Sequence, residues 1–441
     1  MMLVYAIILG FVVFIAVVAA AWKRPLLTFA LFEVFLVTIG LFGRVIAPIP
    51  FVNLLKDLIL VAYLIGAGVG AYVRGRRLSN LTLLILASLC CVAAIAASLF
   101  THEWLRALSS LRFYIVYPML IFAGMLVWDS RNHIYVRRFF IFNMLLFMSV
   151  SAFGIVDYMM GNSLSEAITA DADRDILSRA VARSGITENA VVSTLGNRPN
   201  MGSFACLGVI LALAMRGKIS GKMRWLPWAS VMVCLAALLF TFSRTAYVAV
   251  AIGVAVLVWS TRQKILHFVV VLAIGAVVGI TAAEVSGRSL ISAFDTMDST
   301  LSGRVGIWSA IMDQFMADPF GSGLGVFGND LNVVYDVARQ NQGAGAVDSS
   351  YLLVLFEQGA QGFTVFIAFV SYTCFFLFRA SRQITSFDRD LLLSVALAWA
   401  AAMAAMAFST DMFHIVYTVV PFYWLLGAAM ESANWSFGRK A

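Results

Sequence analysis

Four short polar runs interrupt an otherwise apolar chain, and each holds residues that could take part in chemistry. The first is Phe242-Ser243-Arg244-Thr245, a tight turn between two apolar stretches. An arginine there either snorkels to the lipid headgroups or holds an anion at the membrane surface. The second is Ser302-Gly303-Arg304, with Trp308 one helical turn on and on the same face. The third runs from Asp318-Pro319 to Gly328 and contains a G-x-G-x-x-G string. No strand precedes it, so it does not read as a dinucleotide fingerprint; its glycines let backbone approach a ligand or a neighbouring helix. The fourth is Asp348-Ser349-Ser350-Tyr351-Leu352, which leads into an apolar run containing Glu357-Gln358-Gly359. Asp348 is either the N-cap of that helix or a general base.

What positions these runs is a set of membrane spans. Hydrophobic residues make up 62% of the 441 and charged residues only 12%, against about 45–50% and about 25% in ordinary soluble domains. Such a chain cannot cover itself with a water-soluble surface. The expected fold is all-α, a single polytopic bundle over 1–441 with about 12–13 transmembrane helices. Candidate spans lie near 3–21, 25–47, 54–73, 80–100, 111–128, 138–160, 199–215, 225–242, 245–260, 265–283, 350–378, 390–409 and 412–430. The first span lacks a basic leader and is followed by Lys23 and Arg24, so it reads as a retained helix.

The formal net charge of +8 is explained by where the cations sit. If the spans alternate, Lys23/Arg24, Arg74/Arg76/Arg77, Arg131/Arg137/Arg138, Arg216/Lys218/Lys222/Arg224, Arg262/Lys264, Arg379/Arg382/Arg389 and Arg439/Lys440 all share one face, which the positive-inside rule makes cytoplasmic. The two long connections, 161–198 and 284–349, then fall on the external face and are expected to carry short amphipathic helices. One lies over 302–318, where Arg304, Ile307, Trp308, Ile311, Met312 and Phe315 recur at helical spacing before Pro319. The second loop is acidic, which argues against a nucleic-acid partner. The five cysteines lie inside apolar spans without metal-ligand spacing, and no metal site or cofactor is expected.

Histidine narrows the choice of base. His133 and His267 fall on the cytoplasmic face, and neither His102 nor His414 lies in a long loop. Asp348 is therefore the best base candidate on the second loop. Glu33 and Asp157 are ionisable groups near membrane depth, and Lys56 and Asp57 lie nearer an interface; none of the four receives a role.

The order Arg198-Pro199-Asn200, Ser243-Arg244, Gly303-Arg304 with Trp308, Pro319 with Gly321, Gly323 and Gly325, then Asp348-Ser-Ser-Tyr351 and Glu357-Gln-Gly359 resembles the O-antigen ligase and polymerase superfamily. The motifs cover roughly 196–365, and the N-terminal half agrees only in hydropathy. The resemblance implies a multi-pass glycosyltransferase of the bacterial inner membrane that acts at the periplasmic face on glycans carried by undecaprenyl diphosphate, without a cofactor. Arg244 and Arg304 match the family's arginines and with Asp348 form the expected catalytic set; Arg288 is a less secure third match. Arg198, Asn200, Ser243, Trp308 and Tyr351 are expected to bind substrate beside Arg288. Implied partners are the lipid-linked donor and acceptor, membrane lipid and a chain-length regulator protein.

One departure decides between branches. The ligase branch has a histidine where this chain reads Asp348, and aspartate there looks more like the polymerase branch. A repeat-unit polymerase for O-antigen or exopolysaccharide is therefore favoured. The alternatives are a ligase that transfers glycan to lipid A core, and a transporter or flippase of a lipid-linked or anionic substrate, which calls for paired broken helices.

Overall fold

The structure is a computed structural model that describes residues 2–45, 49–76, 78, 80–99, 101, 104–128, 133–161, 193–195, 198–241, 243–261, 308–309, 312–313, 315–325, 349–383, 387–412 and 415–438. The expected span at 265–283 and most of both long loops lie outside the described residues.

The described chain is helical, with no strand among the described residues. In order it forms α1 (Met2–Lys23), α2 (Pro25–Val45), α3 (Ile49–Val73), α4 (Leu81–Leu99), α5 (Trp104–Leu111), a π-helical turn (Arg112–Val116) and α6 (Met119–Val127). There follow α7 (His133–Met159), α8 (Arg198–Met215), α9 (Leu226–Phe240), α10 (Arg244–Thr261), α11 (Ser350–Gln383), α12 (Phe387–Ala407) and α13 (Val416–Gly438). Proline marks several starts: Pro25 opens α2, Pro118 precedes α6, and α9 carries one in its first turn. The fixed φ of proline suits a first turn, where its missing N–H has no intrahelical partner to lose.

Among the described residues five helices are long and apolar enough to cross a membrane: Leu54–Val73, Leu81–Leu99, Arg137–Met159, Gly221–Phe240 and Ser350–Arg382. Shorter apolar helices pack among them. Positions 201–215 of α8 are buried without exception, so this helix runs through the middle of the bundle. A second centre forms around Trp424 of α13. Its ring stacks on Phe29 of α2 at 4.8 Å and meets Phe139 of α7 at 4.9 Å, while its indole N–H donates to the Tyr63 hydroxyl of α3 at 2.9 Å. In lipid, where apolar surface gains nothing by leaving water, such packing and hydrogen bonding hold helices together. α13 and α6 approach so closely that a Cβ on Gly427 would overlap the Ile121 carbonyl oxygen.

Contacts among helix ends support the expected grouping of cations. Arg74, after α3, donates to the Trp22 carbonyl near the end of α1 at 3.1 Å. Arg382, at the end of α11, lies over the Trp259 ring near the end of α10 at 4.9 Å. Each contact joins two helix ends that were expected to share a face. Two expected spans differ in form. The run 111–128 is not one helix but a π-helical turn followed by α6, because Pro118 cannot supply the amide of a continuous ladder. The run 350–378 is broken at Gly359, where φ is 69° and ψ is −171°.

Candidate active site

At the end of the bundle opposite the basic clusters, three helix starts and one turn come together. Ser243 precedes α10 and accepts at its carbonyl the N–H groups of Ala246 and Tyr247 at 3.1 and 3.2 Å, which makes it the cap and Arg244 the first helical residue. The Ser243 and Thr245 hydroxyls lie 3.4 Å apart, and Thr245 reaches the Thr410 hydroxyl at 3.3 Å. α8 begins at Arg198 and lies directly against this turn, since a Cβ on Gly202 would sit 3.1 Å from the Ser243 Cβ. Asn200 donates to the Leu195 carbonyl at 3.0 Å, tying the start of α8 to the short turn before it.

The start of α11 is fastened to the turn after α12. Ser349 donates to the Ala407 carbonyl at 3.2 Å. Ser350 donates to the Thr410 carbonyl at 3.2 Å and accepts the Met412 N–H at 2.7 Å. Tyr351 donates to the Ala404 carbonyl at 3.1 Å, and its ring lies 4.7 Å from that of Phe408. The Leu352 N–H points to the Ser349 hydroxyl at 3.5 Å and the Leu353 N–H to the Ser349 carbonyl at 2.9 Å. Ser349 therefore occupies the capping position that the sequence left open for Asp348.

Placing arginine first in a helix works against helix stability, because the partial positive charge at an N-terminus repels a cation by about 0.3–1 kcal/mol. Both α8 and α10 accept that cost at neighbouring positions. An anion placed there would meet the open N–H groups of two helix starts together.

The glycine run forms a second layer. Where α11 breaks at Gly359, it loses hydrogen bonds that an unbroken helix would close. The loop at 319–325 supplies them: Ser322 N–H to the Phe356 carbonyl at 2.9 Å, Gly323 N–H to the Glu357 carbonyl at 3.2 Å, and Ala360 N–H to the Pro319 carbonyl at 2.9 Å. Gln361 adds a bond to the Phe320 carbonyl at 2.8 Å. Gly321 and Gly359 meet back to back, with positive φ at both, so a Cβ on either would strike the other's backbone segment. The loop also touches α4's exit, where the Thr101 hydroxyl donates to the Leu324 carbonyl at 3.3 Å.

Glu357 locks these parts together. It is 1% exposed, accepts the Gly325 N–H at 2.8 Å on one carboxylate oxygen and the Tyr114 hydroxyl at 2.7 Å on the other. Tyr114 sits in the π-helical turn, whose first residue, Arg112, pairs with Asp57 of α3 at 2.8 Å. Tyr117 donates to the other Asp57 oxygen at 3.3 Å. The π-helical turn thus carries two polar pairs, Arg112 with Asp57 and Tyr114 with Glu357; the sequence drew attention to Asp57 and Glu357 but not to Arg112 or Tyr114. A polar trio at Arg112, Tyr114 and Tyr117 inside an apolar run was the available signal.

Of the expected site residues, the structure brings together the positions of Arg198, Asn200, Ser243, Arg244 and Tyr351. Trp308 is half-buried in a helical segment that ends before Pro319, with Met312 and Met316 exposed beside it. Arg288, Arg304 and Asp348 lie outside the described residues, as do His102, His267 and His414.

These features define an all-α, multi-pass membrane protein in which three helix starts, two of them opened by arginine, meet at one end of the bundle. Residues 229–367 match the family model described as O-antigen ligase. The match runs from α9 through α10 and the glycine run into α11 past its break, and it supports the O-antigen ligase and polymerase superfamily without distinguishing the polymerase branch. No curated protein matches the chain.

Proposed function

We propose that this protein is a repeat-unit polymerase that transfers a glycan from undecaprenyl diphosphate onto a lipid-linked acceptor at the periplasmic face of the bacterial inner membrane. The observation that carries this reading is the meeting of the starts of α8, α10 and α11 at one end of the bundle, with arginine opening two of them. In this reading Arg244 and Arg304 grip the diphosphate, with Arg288 and Arg198 at the margin. As the bond from the anomeric carbon to the phosphate oxygen breaks, the diphosphate leaves with its electron pair and the guanidinium groups balance the growing charge. The acceptor hydroxyl attacks the anomeric carbon and gives its proton to Asp348. Ser243, Asn200, Trp308 and Tyr351 shape the pocket around the sugar and the lipid head, and a chain-length regulator would act on the growing product.

Proteoliposomes supplied with lipid-linked repeat units test this directly: a ladder of lengthening, still lipid-linked products is expected. The description of the matched family favours a second reading, the ligase. In that case a deletion strain would still make long polymer but leave it on the lipid carrier, whereas loss of a polymerase leaves single units.

A further inference from the structure

A small cavity of about 230 Å³, counting the space at its mouth, lies among α2, α7, α8 and α13. Glu33 of α2, Asn143 and Phe147 of α7, Phe204 of α8 and Tyr417 of α13 line it. Glu33 is 3% exposed, and neither of its carboxylate oxygens has a hydrogen-bond partner among the described residues. No lysine, arginine or histidine among those residues lines the cavity. A carboxylate shut away from water without a countercharge is costly, so Glu33 must take up a positive charge, as a proton or as a cation. A proton alone leaves the carboxyl group without a hydrogen-bond partner, whereas a cation seated in the cavity satisfies both oxygens at once. Asn143 stands in the same wall and gives its amide N–H to the Phe139 carbonyl at 3.3 Å, which leaves its amide oxygen as the group it can offer. The rings of Phe147 and Phe204, 4.4 Å apart, add π surface to which a cation is attracted.

We infer that this cavity binds a monovalent metal cation, sodium or potassium, through the Glu33 carboxylate and the Asn143 amide oxygen. One carboxylate matches one positive charge. No group of three or more histidine, cysteine or acidic side chains that could hold a metal ion occurs among the described residues, so a transition metal lacks its ligands here and a divalent ion would keep an unbalanced charge. The ion ties α2 and α7 to α8 and α13 at a level where those two helices already touch. Ser203, beside Phe204, lies hydroxyl to hydroxyl 2.9 Å from Thr418, beside Tyr417. Arg198 opens α8 about 9 Å further along the helix at a rise of about 1.5 Å per residue. The ion therefore sets the packing beneath the candidate site, and its binding does not depend on the transfer reaction proposed above.

The test uses the purified full-length protein in nanodiscs, melted in sodium, potassium or choline chloride at equal ionic strength. Sodium or potassium is expected to raise the melting temperature saturably above that in choline. Glu33→Gln, which keeps the shape of the side chain and removes its charge, should abolish that rise, and Asn143→Ala should move its midpoint to about tenfold higher cation concentration. Equal melting of the parent in all three salts overturns the inference. So does a rise that survives in Glu33→Gln, which would place the ion elsewhere. A difference between the parent and Glu33→Gln that changes with pH but not with the cation also overturns it, because Glu33 would then hold only a proton. If Glu33→Gln fails to fold, binding of radioactive sodium or rubidium to the parent decides: saturable binding of a single ion, weakened in Asn143→Ala, supports the site, and no binding, or binding unchanged in Asn143→Ala, overturns it.

Discussion

At the scale of the residue, the account turns on charges placed where local stability disfavours them. Arginine as the first residue of α10 has a cost to its helix, and binding an anion reverses that cost. Arg244→Ala is predicted to lower transfer by about 10- to 100-fold, the loss of one charge-assisted contact of about 1.5–3 kcal/mol, while leaving the melting temperature unchanged or slightly raised. Arg304→Ala is predicted to do the same to transfer. A polymerisation assay run beside a thermal melt checks both halves of that statement. Glu357 has the opposite profile. Removing its carboxylate strands the Tyr114 hydroxyl and the Gly325 N–H, so Glu357→Ala should destabilise the fold by about 2–5 kcal/mol. Tyr114→Phe removes one bond and should cost less, about 1–3 kcal/mol, read as a smaller drop in melting temperature. The arginines and Asp348 draw attention in the sequence because charge at the edge of an apolar run stands out. The pairing of Tyr114 with Glu357 was not legible there, since the two are 243 positions apart and nothing local to either one names the other.

At the scale of the element, the decisive feature is a helix that stops and restarts. Hydropathy shows 350–378 as one apolar run, and the two glycines within it, Gly359 and Gly362, do not say which of them marks a break. The break becomes visible only with the partner loop, whose amides take over the carbonyls of Phe356 and Glu357. The same holds for 111–128, where hydropathy is continuous while the backbone passes through a π-helical turn before Pro118. The periodic signal reports how apolar a stretch is, and these local hydrogen-bond patterns leave it unchanged. Gly359→Ala is predicted to be severe, because a Cβ there is strained at φ 69° and would collide with the Phe320 carbonyl group. The loop must then leave α11, freeing the backbone around Phe320, whose ring is already exposed. Limited chymotrypsin digestion should show faster cleavage near Phe320 in the variant, together with reduced transfer; an unchanged digestion pattern would mean that the loop is held by other contacts.

At the scale of the whole molecule, the bundle separates a basic end from a polar, helix-start end, and the proposed chemistry requires the second to face outward. Short-loop Lys and Arg report orientation and lead to the expected grouping of cations; the contacts of Arg74 with Trp22 and of Arg382 with Trp259 each join two of the helix ends concerned. In intact cells, a membrane-impermeant thiol reagent applied after blocking exposed native thiols should label Ala317→Cys and leave Ser220→Cys unmodified until the membrane is opened. The reverse pattern would place the arginines in the cytoplasm. The central claim, that Arg244 and Asp348 act at one site on a lipid diphosphate, is tested most directly by polymerisation in proteoliposomes containing the parent, Arg244→Ala, Asp348→Ala or Arg76→Ala. The account predicts lengthening products with the parent and Arg76→Ala, and little or none with the other two. Product ladders of parental length and yield from both Arg244→Ala and Asp348→Ala would contradict it.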